Sequence, residues 1–450
     1  MSRTVALLRR PRALRLSLSP AQTIIAGFLT IILVGAFLLM LPVASASGKP
    51  TPFLTALFTA TSATCVTGLV VVDTADYWSM FGELVILMLI HLGGFGYMTS
   101  WAILALILGW RIGLRERIIL TEAHNLYDPG GVVRFTRRLI LLALGIEAAG
   151  AAILTARWAF QMPLERALYY GIFHSVSAFN NAGFDLMGGF RSLTGYVTDP
   201  VVSLTMAGLI ILGGLGFTVM FDVRQRRLTL HSKAVLSATA ALIVIGTALI
   251  VALESGNAET LGPLSVPVRL LAAFFTAVTP RTAGFNTLNS GALTEPALML
   301  IVTLMFIGAS PGGTGGGIKT TTFITPLAVI WSSLRGTADP VLFRRRIPVF
   351  VVYKAVTVVL ISAAFVFTMA TLLSLVEGVR FLPALFEVTS AFGTVGLSTG
   401  ITPTLSALGR VIVMFTVFSG RVGLLTLAFS LTRRHLPPRI RYPEERLYVG

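Results

Sequence analysis

Apolar residues collect into eight runs, at roughly 21–44, 80–110, 138–160, 200–222, 234–253, 295–331, 349–376 and 406–432. A helix needs about twenty such residues to cross a bilayer. Between the members of each successive pair lies a shorter semi-apolar stretch, near 52–64, 165–179, 267–279 and 381–392. Those stretches are too short to cross and read as re-entrant half-helices. The pattern predicts one unit, helix, half-helix with loop, helix, written four times. The expected fold is an all-α polytopic membrane protein, with eight transmembrane helices and four re-entrant pore loops in pseudo-fourfold arrangement.

Each half-helix runs into the same short motif, recurring about a hundred residues apart. Phe58 precedes Gly68-Leu69, Phe173 precedes Gly183-Phe184, Phe274 precedes Gly284-Phe285 and Phe386 precedes Gly396-Leu397. A dehydrated cation must be offered oxygen atoms in place of water, and main-chain carbonyls aimed at one axis supply them. Such backbone conformations are often closed to side chains, and glycine removes the restriction. Irregular backbone at membrane depth is tolerated only when buried or lining a water-filled path. The four loops therefore read as an ion-selectivity filter. Its candidate ion-binding residues are Cys65, Val66, Thr67 and Gly68; Asn180, Asn181, Ala182 and Gly183; Arg281, Thr282, Ala283 and Gly284; and Gly393, Thr394, Val395 and Gly396. The negative C-terminal ends of the half-helices favour a cation there. Asp73 and Asp185 follow their glycines and would gather cations at the outer mouth, where the other two repeats carry Asn286 and Ser398.

The second helix of each repeat carries G-x-x-G, as Gly93–Gly96, Gly213–Gly216, Gly312–Gly315 and Gly420–Gly423. Small residues let helices pass closely, which accounts for the first two copies. The third is different. The segment from Gly308 to Lys319 holds six glycines, Gly308 included, and one proline, and such a segment cannot stay helical. It is expected to break into a loop. A phosphate-binding reading fails, because that consensus needs Lys directly after Gly and Ile318 intervenes. In the fourth copy Arg421 is too deep to snorkel, so it faces the pore or the bundle interior. Glu147, similarly deep in the third span, is the alternative partner that a structural salt bridge would use.

Composition narrows the class. Hydrophobic residues make up 55% of the chain and charged ones 12%, with mean hydropathy +0.84; a soluble domain carries about twice that charge. The net charge of +16 is not a nucleic-acid footprint. The arginines cluster before the first span, between spans two and three, four and five, six and seven, and after the last, all on one side for eight crossings. That is the positive-inside rule, and it places both termini in the cytoplasm. Phospholipid contact is a secondary reading of the same loops. The first 46 residues imitate a secretory signal, but the apolar run is too long, and the first repeat needs that helix. The lone Cys65 excludes an intramolecular disulfide and reads as a packing residue. His91 and His174 lack metal-ligand spacing and read as satisfied interior histidines. No catalytic constellation stands out, so an enzyme reading has no anchor.

Over essentially its whole length the chain resembles the membrane subunit of the Trk/Ktr/HKT superfamily of potassium transporters. It is most similar to the Ktr-type bacterial subunit, since it starts directly with the first span and ends in a tail, Tyr442 to Gly450, like those of Ktr subunits. In that family glycine in all four loops accompanies potassium selectivity, whereas serine in the first accompanies sodium permeation in some plant relatives. The resemblance implies that Gly312, Gly313, Thr314, Gly315, Gly316 and Gly317, with adjoining Lys319, form an intramembrane gating loop. It implies that Arg421 is the pore arginine. It also implies K+ as substrate with Na+ as a possible second ion, no organic cofactor, a homodimer with one pore per protomer, and a cytoplasmic ring of nucleotide-binding regulatory subunits in a bacterial inner membrane. The expected segments are a basic N-terminus (1–20), repeat 1 (21–110), a basic cytoplasmic loop (111–137), repeat 2 (138–222), repeat 3 (223–331, with the gating loop at 308–322), repeat 4 with its preceding loop (332–432) and a cytoplasmic tail (433–450). The rival readings are a sodium-permeable relative and a membrane scaffold whose repeats only pack.

Overall fold

The computed structural model describes residues 20–96, 132–337 and 339–431; the expected basic N-terminus, most of loop 111–137 and the C-terminal tail lie outside them. The first quarter holds α1 (Pro20–Met40), the half-helix α2 (Phe53–Thr64) and α3 (Met80–Gly94). The second holds α4 (Val132–Trp158), α5 (Leu164–Phe179), α6 (Pro200–Leu215) and α7 (Phe217–Arg224). The third holds α8 (Leu230–Glu254), α9 (Val266–Val278), α10 (Glu295–Phe306) and α11 (Thr320–Leu334). A two-residue-per-strand hairpin, Val341–Leu342 against Arg345–Arg346, leads to the fourth. That quarter holds α12 (Val349–Glu377), α13 (Phe381–Gly393), α14 (Ala407–Val422) and α15 (Leu424–Leu431).

The half-helices fall where the shorter apolar stretches place them. The second helices start at polar caps: Ser79 accepts from Gly82 N, Asp199 from Val201 N and Ser406 from Gly409 N. Among the described helices, α1, α4, α8 and α12 are each long and apolar enough to cross a membrane alone. The second helices do not continue unbroken through 80–110, 200–222, 295–331 and 406–432. α6 and α7 meet at 98°. Gly216 and Gly423 sit at the breaks with φ of +91° and +89°, and Gly96 follows α3 at +78°. Hydropathy cannot register this, because the chain is apolar on both sides of each bend; the last glycine of G-x-x-G sits at the break in the second and fourth quarters, whereas α10 ends at Phe306, before its copy begins. α4 is helical from Val132, where the described residues resume, so Arg134, Arg137 and Arg138, expected between the second and third spans, lie on a helix.

The quarters interlock cyclically. α3 packs on α5, α6 on α9, α10 on α13, and α14 returns to α2. Separate apolar clusters fill the seams. Trp78, Ile86 and Phe173 lie between the first and second quarters; Phe179, Phe275 and Phe285 between the second and third; Met305, Phe386 and Val395 between the third and fourth; and Phe58, Cys65, Val388 and Val417 between the fourth and first. Each seam thus seats an aromatic ring of a half-helix. In the third quarter the fully buried ring is Phe275, not Phe274, which is only partly buried. Counting ten residues back from Gly284 therefore lands one position off.

Candidate functional site

The half-helices end at a common centre. Beyond each, the loop turns its amides backward onto the last turn. Thr67 N donates to Ser62 O at 2.8 Å, Ala182 N to Ser177 O at 2.8 Å, Val395 N to Ser390 O at 2.8 Å and Ala283 N to Thr279 O at 3.0 Å. These bonds consume the orphan carbonyls of the helix end and the loop's own donors together, leaving the loop carbonyls free to point elsewhere. The third loop is one residue tighter, and it contains Pro280, which has no amide to donate.

The backbone that results is the same in all four loops. Val66, Asn181, Thr282 and Thr394 have φ of 51°, 57°, 72° and 49°, and Gly68, Gly183, Gly284 and Gly396, two residues on, have 86°, 72°, 81° and 95°. Positive φ is rare for any side-chain-bearing residue and an outlier for the β-branched Val66, Thr282 and Thr394. Strain of this kind persists only where surrounding structure enforces it, and it clusters at functional sites.

The glycines form a closed ring. A Cβ on Gly68 would meet Ala182 O at 2.5 Å, one on Gly183 would meet Ala283 O at 2.7 Å and one on Gly284 would meet Val395 O at 2.5 Å; on Gly396 it would collide with Thr67 O. Each repeat thus leans on the main-chain carbonyl of the next, and the fourth closes on the first.

The residues three before the glycines take other roles. Cys65 joins the apolar seam beside α1 and α13. Asn180 donates to Glu147 Oε1 at 2.7 Å. Arg281 is buried, and its Nη1 has no hydrogen-bond partner among the described residues. Gly393 is the last residue of α13 and lies against Met305 O. The Asn181 amide donates to Ala178 O at 3.0 Å and Ile210 O at 3.2 Å and accepts from Thr282 Oγ1 at 3.1 Å, tying the second loop to the third.

Above the ring opens a vestibule of about 160 Å³, lined by all four glycines together with Asp73, Asp185, Asn286 and Ser398. The Asp73 carboxylate caps the short helix Thr74–Tyr77 through Ala75 N and Asp76 N, and its other oxygen accepts from Phe190 N at 2.6 Å. Burial pushes the Asp185 carboxyl up to about 6; the bond from Met187 N pulls it down and the nearby Asp73 charge pushes it up.

Below the ring, residues 307–318 leave and re-enter at a bridge between Ile307 and Ile318. The loop is pinned from the second and fourth quarters. Thr314 N donates to Gly213 O at 3.1 Å and Thr314 Oγ1 to Phe179 O at 3.1 Å. Gly316 N donates to Thr394 Oγ1 at 3.0 Å, and Lys319 Nζ to Gly315 O at 2.6 Å. Arg421 reaches it from α14, donating to Thr314 O and to Gly93 O. The salt bridge between Arg421 and Glu147 is not formed. Glu147 is engaged instead by His91 Nε2 at 3.0 Å and by Asn180. His174 is satisfied inside the protein, with Nδ1 2.8 Å from Tyr170 O and Nε2 accepting from Leu186 N at 3.2 Å.

The close-packing glycine is real in every quarter but the third is misregistered in the sequence. Gly93, Gly213 and Gly420 leave no room for a Cβ against Thr64 O, Phe179 O and Phe392 O. Like them, Gly308 falls thirteen residues after the start of its helix and presses on Gly316 O. Gly308 is therefore the counterpart, and Gly312–Gly317 is extra. Sequence reasoning also missed the braces behind the loops. Ser62 and Ser390 accept the glycine amides of Gly68 and Gly396 at 3.1 and 3.0 Å. Glu387, buried in α13, accepts from Ser398 Oγ, Thr399 N at 2.9 Å and Thr402 Oγ1 at 2.7 Å. A serine six positions before glycine in three of the repeats was the available signal.

A ring of re-entrant loops at the centre of an all-helical, cyclically interlocked bundle is the architecture of a multi-pass membrane transport protein. The chain belongs to the TrkH family of cation transport proteins, whose model matches residues 9–439. It is 43% identical over 436 residues to the "Ktr system potassium uptake protein B" of Bacillus subtilis, covering 96% of this chain and 97% of that one. It is 38% identical over 451 residues to the "Potassium/sodium uptake protein NtpJ" of Enterococcus hirae, covering 98% and 99%. Its fold matches the crystal structure of the potassium transporter TrkH from Vibrio parahaemolyticus with a TM-score of 0.72 at 18% identity, over 94% of this chain and 87% of that one.

Proposed function

We propose that this chain is the ion-translocating membrane subunit of a potassium uptake system, with the four-loop ring as its selectivity filter. The closed ring of glycines and the carbonyls of Thr67, Ala182, Ala283 and Val395 carries the reading. Carbonyl oxygens there replace the ion's hydration shell. The half-helices direct their negative ends at the same centre, and Asp73 and Asp185 raise the local cation concentration at the mouth. The loop at 308–322 and Arg421 form the barrier beneath. The ion must pass a guanidinium in a low-dielectric surround, where repulsion is large, so conduction requires Arg421 and Thr314 to part or shift together. A homodimer, a cytoplasmic nucleotide-binding ring, cytoplasmic termini and an inner-membrane location complete the proposal on family grounds. The experiment is potassium-limited growth of an uptake-deficient bacterial host expressing this chain, alongside rubidium uptake competed by sodium. Rescue with potassium-preferring uptake is expected. Absence of uptake by well-expressed protein reconstituted in vesicles, with and without a regulatory subunit, would return the chain to the scaffold reading.

A further inference from the structure

A cleft of about 700 Å³ opens beside the vestibule, between the end of α4, the start of α5 and the loop after Gly183. Its polar wall holds Arg157, Arg166 and Arg191, with Gln161, Tyr196 and Asp199. Arg157 Nε pairs with Asp199 at 2.7 Å, Arg166 donates to the Tyr170 hydroxyl at 2.9 Å, and Arg191 donates to the carbonyls of Gly188 and Met187 at 3.2 and 3.1 Å. A guanidinium carries five N–H donors, and these bonds engage one or two on each residue. Three cationic groups face one carboxylate.

The neighbouring apolar residues are exposed. Phe160 is 85% exposed, Leu164 66% and Leu168 50%. A cationic recess thus borders an exposed apolar belt on the vestibule side of the protein. Of the four outer helices, only α4 has a basic residue in its last turn. The volume suits a small ligand or headgroup, and forked guanidinium donors match phosphate oxygens.

We infer that this cleft binds a phosphate group, and that the apolar rim selects the phosphate of an anionic phospholipid in the leaflet on the vestibule side. Arg166 and Arg191 are the binding residues. Arg157 is held by Asp199, whose side chain caps α6, so it positions the site and is left intact in the test.

The full chain and its Arg166→Gln/Arg191→Gln variant are reconstituted in vesicles of equal phosphatidylglycerol and phosphatidylcholine, extracted in detergent, and analysed for retained lipid by native mass spectrometry. The wild type is expected to retain phosphatidylglycerol over phosphatidylcholine, and the variant to lose about tenfold of that preference. In parallel, modification of Arg166 and Arg191 by an arginine-specific dicarbonyl is followed in the unaltered protein, so that the inference does not depend on a variant folding. Protection by phosphatidylglycerol vesicles but not by inorganic phosphate assigns the lipid. Protection by inorganic phosphate with no lipid preference keeps the phosphate site and assigns the free anion. Equal retention in both proteins with no protection by either ligand overturns the inference.

Discussion

A side chain at Gly68 has nowhere to go: its φ is +86°, and a Cβ would lie 2.5 Å from Ala182 O and 2.9 Å from Gly183 Cα. Serine there must push the first loop or the second out of register, and it adds a competing hydroxyl oxygen. Gly68→Ser is expected to lower the rubidium-over-sodium uptake ratio about tenfold, equivalent to about 1.4 kcal/mol of discrimination, at normal abundance. An unchanged ratio in folded protein removes Gly68 from the proposed filter. At Arg421 the contacts sharpen the expectation. With Glu147 engaged elsewhere, Arg421→Ala strands no carboxylate, and it releases two carbonyls, of Thr314 and Gly93. Maximal uptake per folded protein is expected to rise roughly threefold or more as the electrostatic barrier falls, with little change in apparent affinity; slower uptake at equal abundance would mean that the side chain only holds the loop in place. The four glycines were legible because one residue type at one offset recurred four times. Phe275 and Gly308 were not, since the third repeat contains Pro280 and an inserted loop, and counting from a fixed glycine cannot see a turn one residue tighter.

The helices show where apolar pattern succeeds and where it stops. Length and hydropathy located the outer helices and half-helices, because burial in lipid selects composition. The bends in the second helices depend on backbone angle, and glycine spacing was read only as close packing. The inserted loop was legible as non-helical, since six glycines and a proline have no helical alternative, but its anchors in the second and fourth repeats are tertiary facts. Those anchors make a deletion informative. Thr320 N bonds to Ala309 O at 3.3 Å, so the ends of the loop already adjoin, and removing Gly312–Gly317 need not drag α10 or α11. The deletion is expected to raise rubidium uptake in the absence of any regulatory subunit by about fivefold or more, as a barrier residue set is removed and not replaced. Uptake at or below that of the intact chain, at equal expression, counts against the proposed gate.

At the scale of the molecule, the vestibule gathers groups from all four quarters, and its charge depends on pH. Asp185 is protonated below about pH 6, so acidification removes one of the two vestibule carboxylates, and cation attraction weakens in that direction. The apparent KM for rubidium is expected to rise about twofold between pH 7.5 and pH 5, and Asp185→Asn should show the raised value at both pH values. A KM equally pH-dependent in that variant would assign the titration to another group. The closed ring has a further consequence. Had four identical chains supplied it, every substitution would occur in quadruplicate, and an arginine below the centre would bring three more. Because the quarters are written consecutively in one chain, each can drift alone. The molecule can carry the Arg421 guanidinium, the Gly312–Gly317 insertion and the arginine-lined recess each in its own quarter, altered without a matching change in the other three, which hold the circle shut.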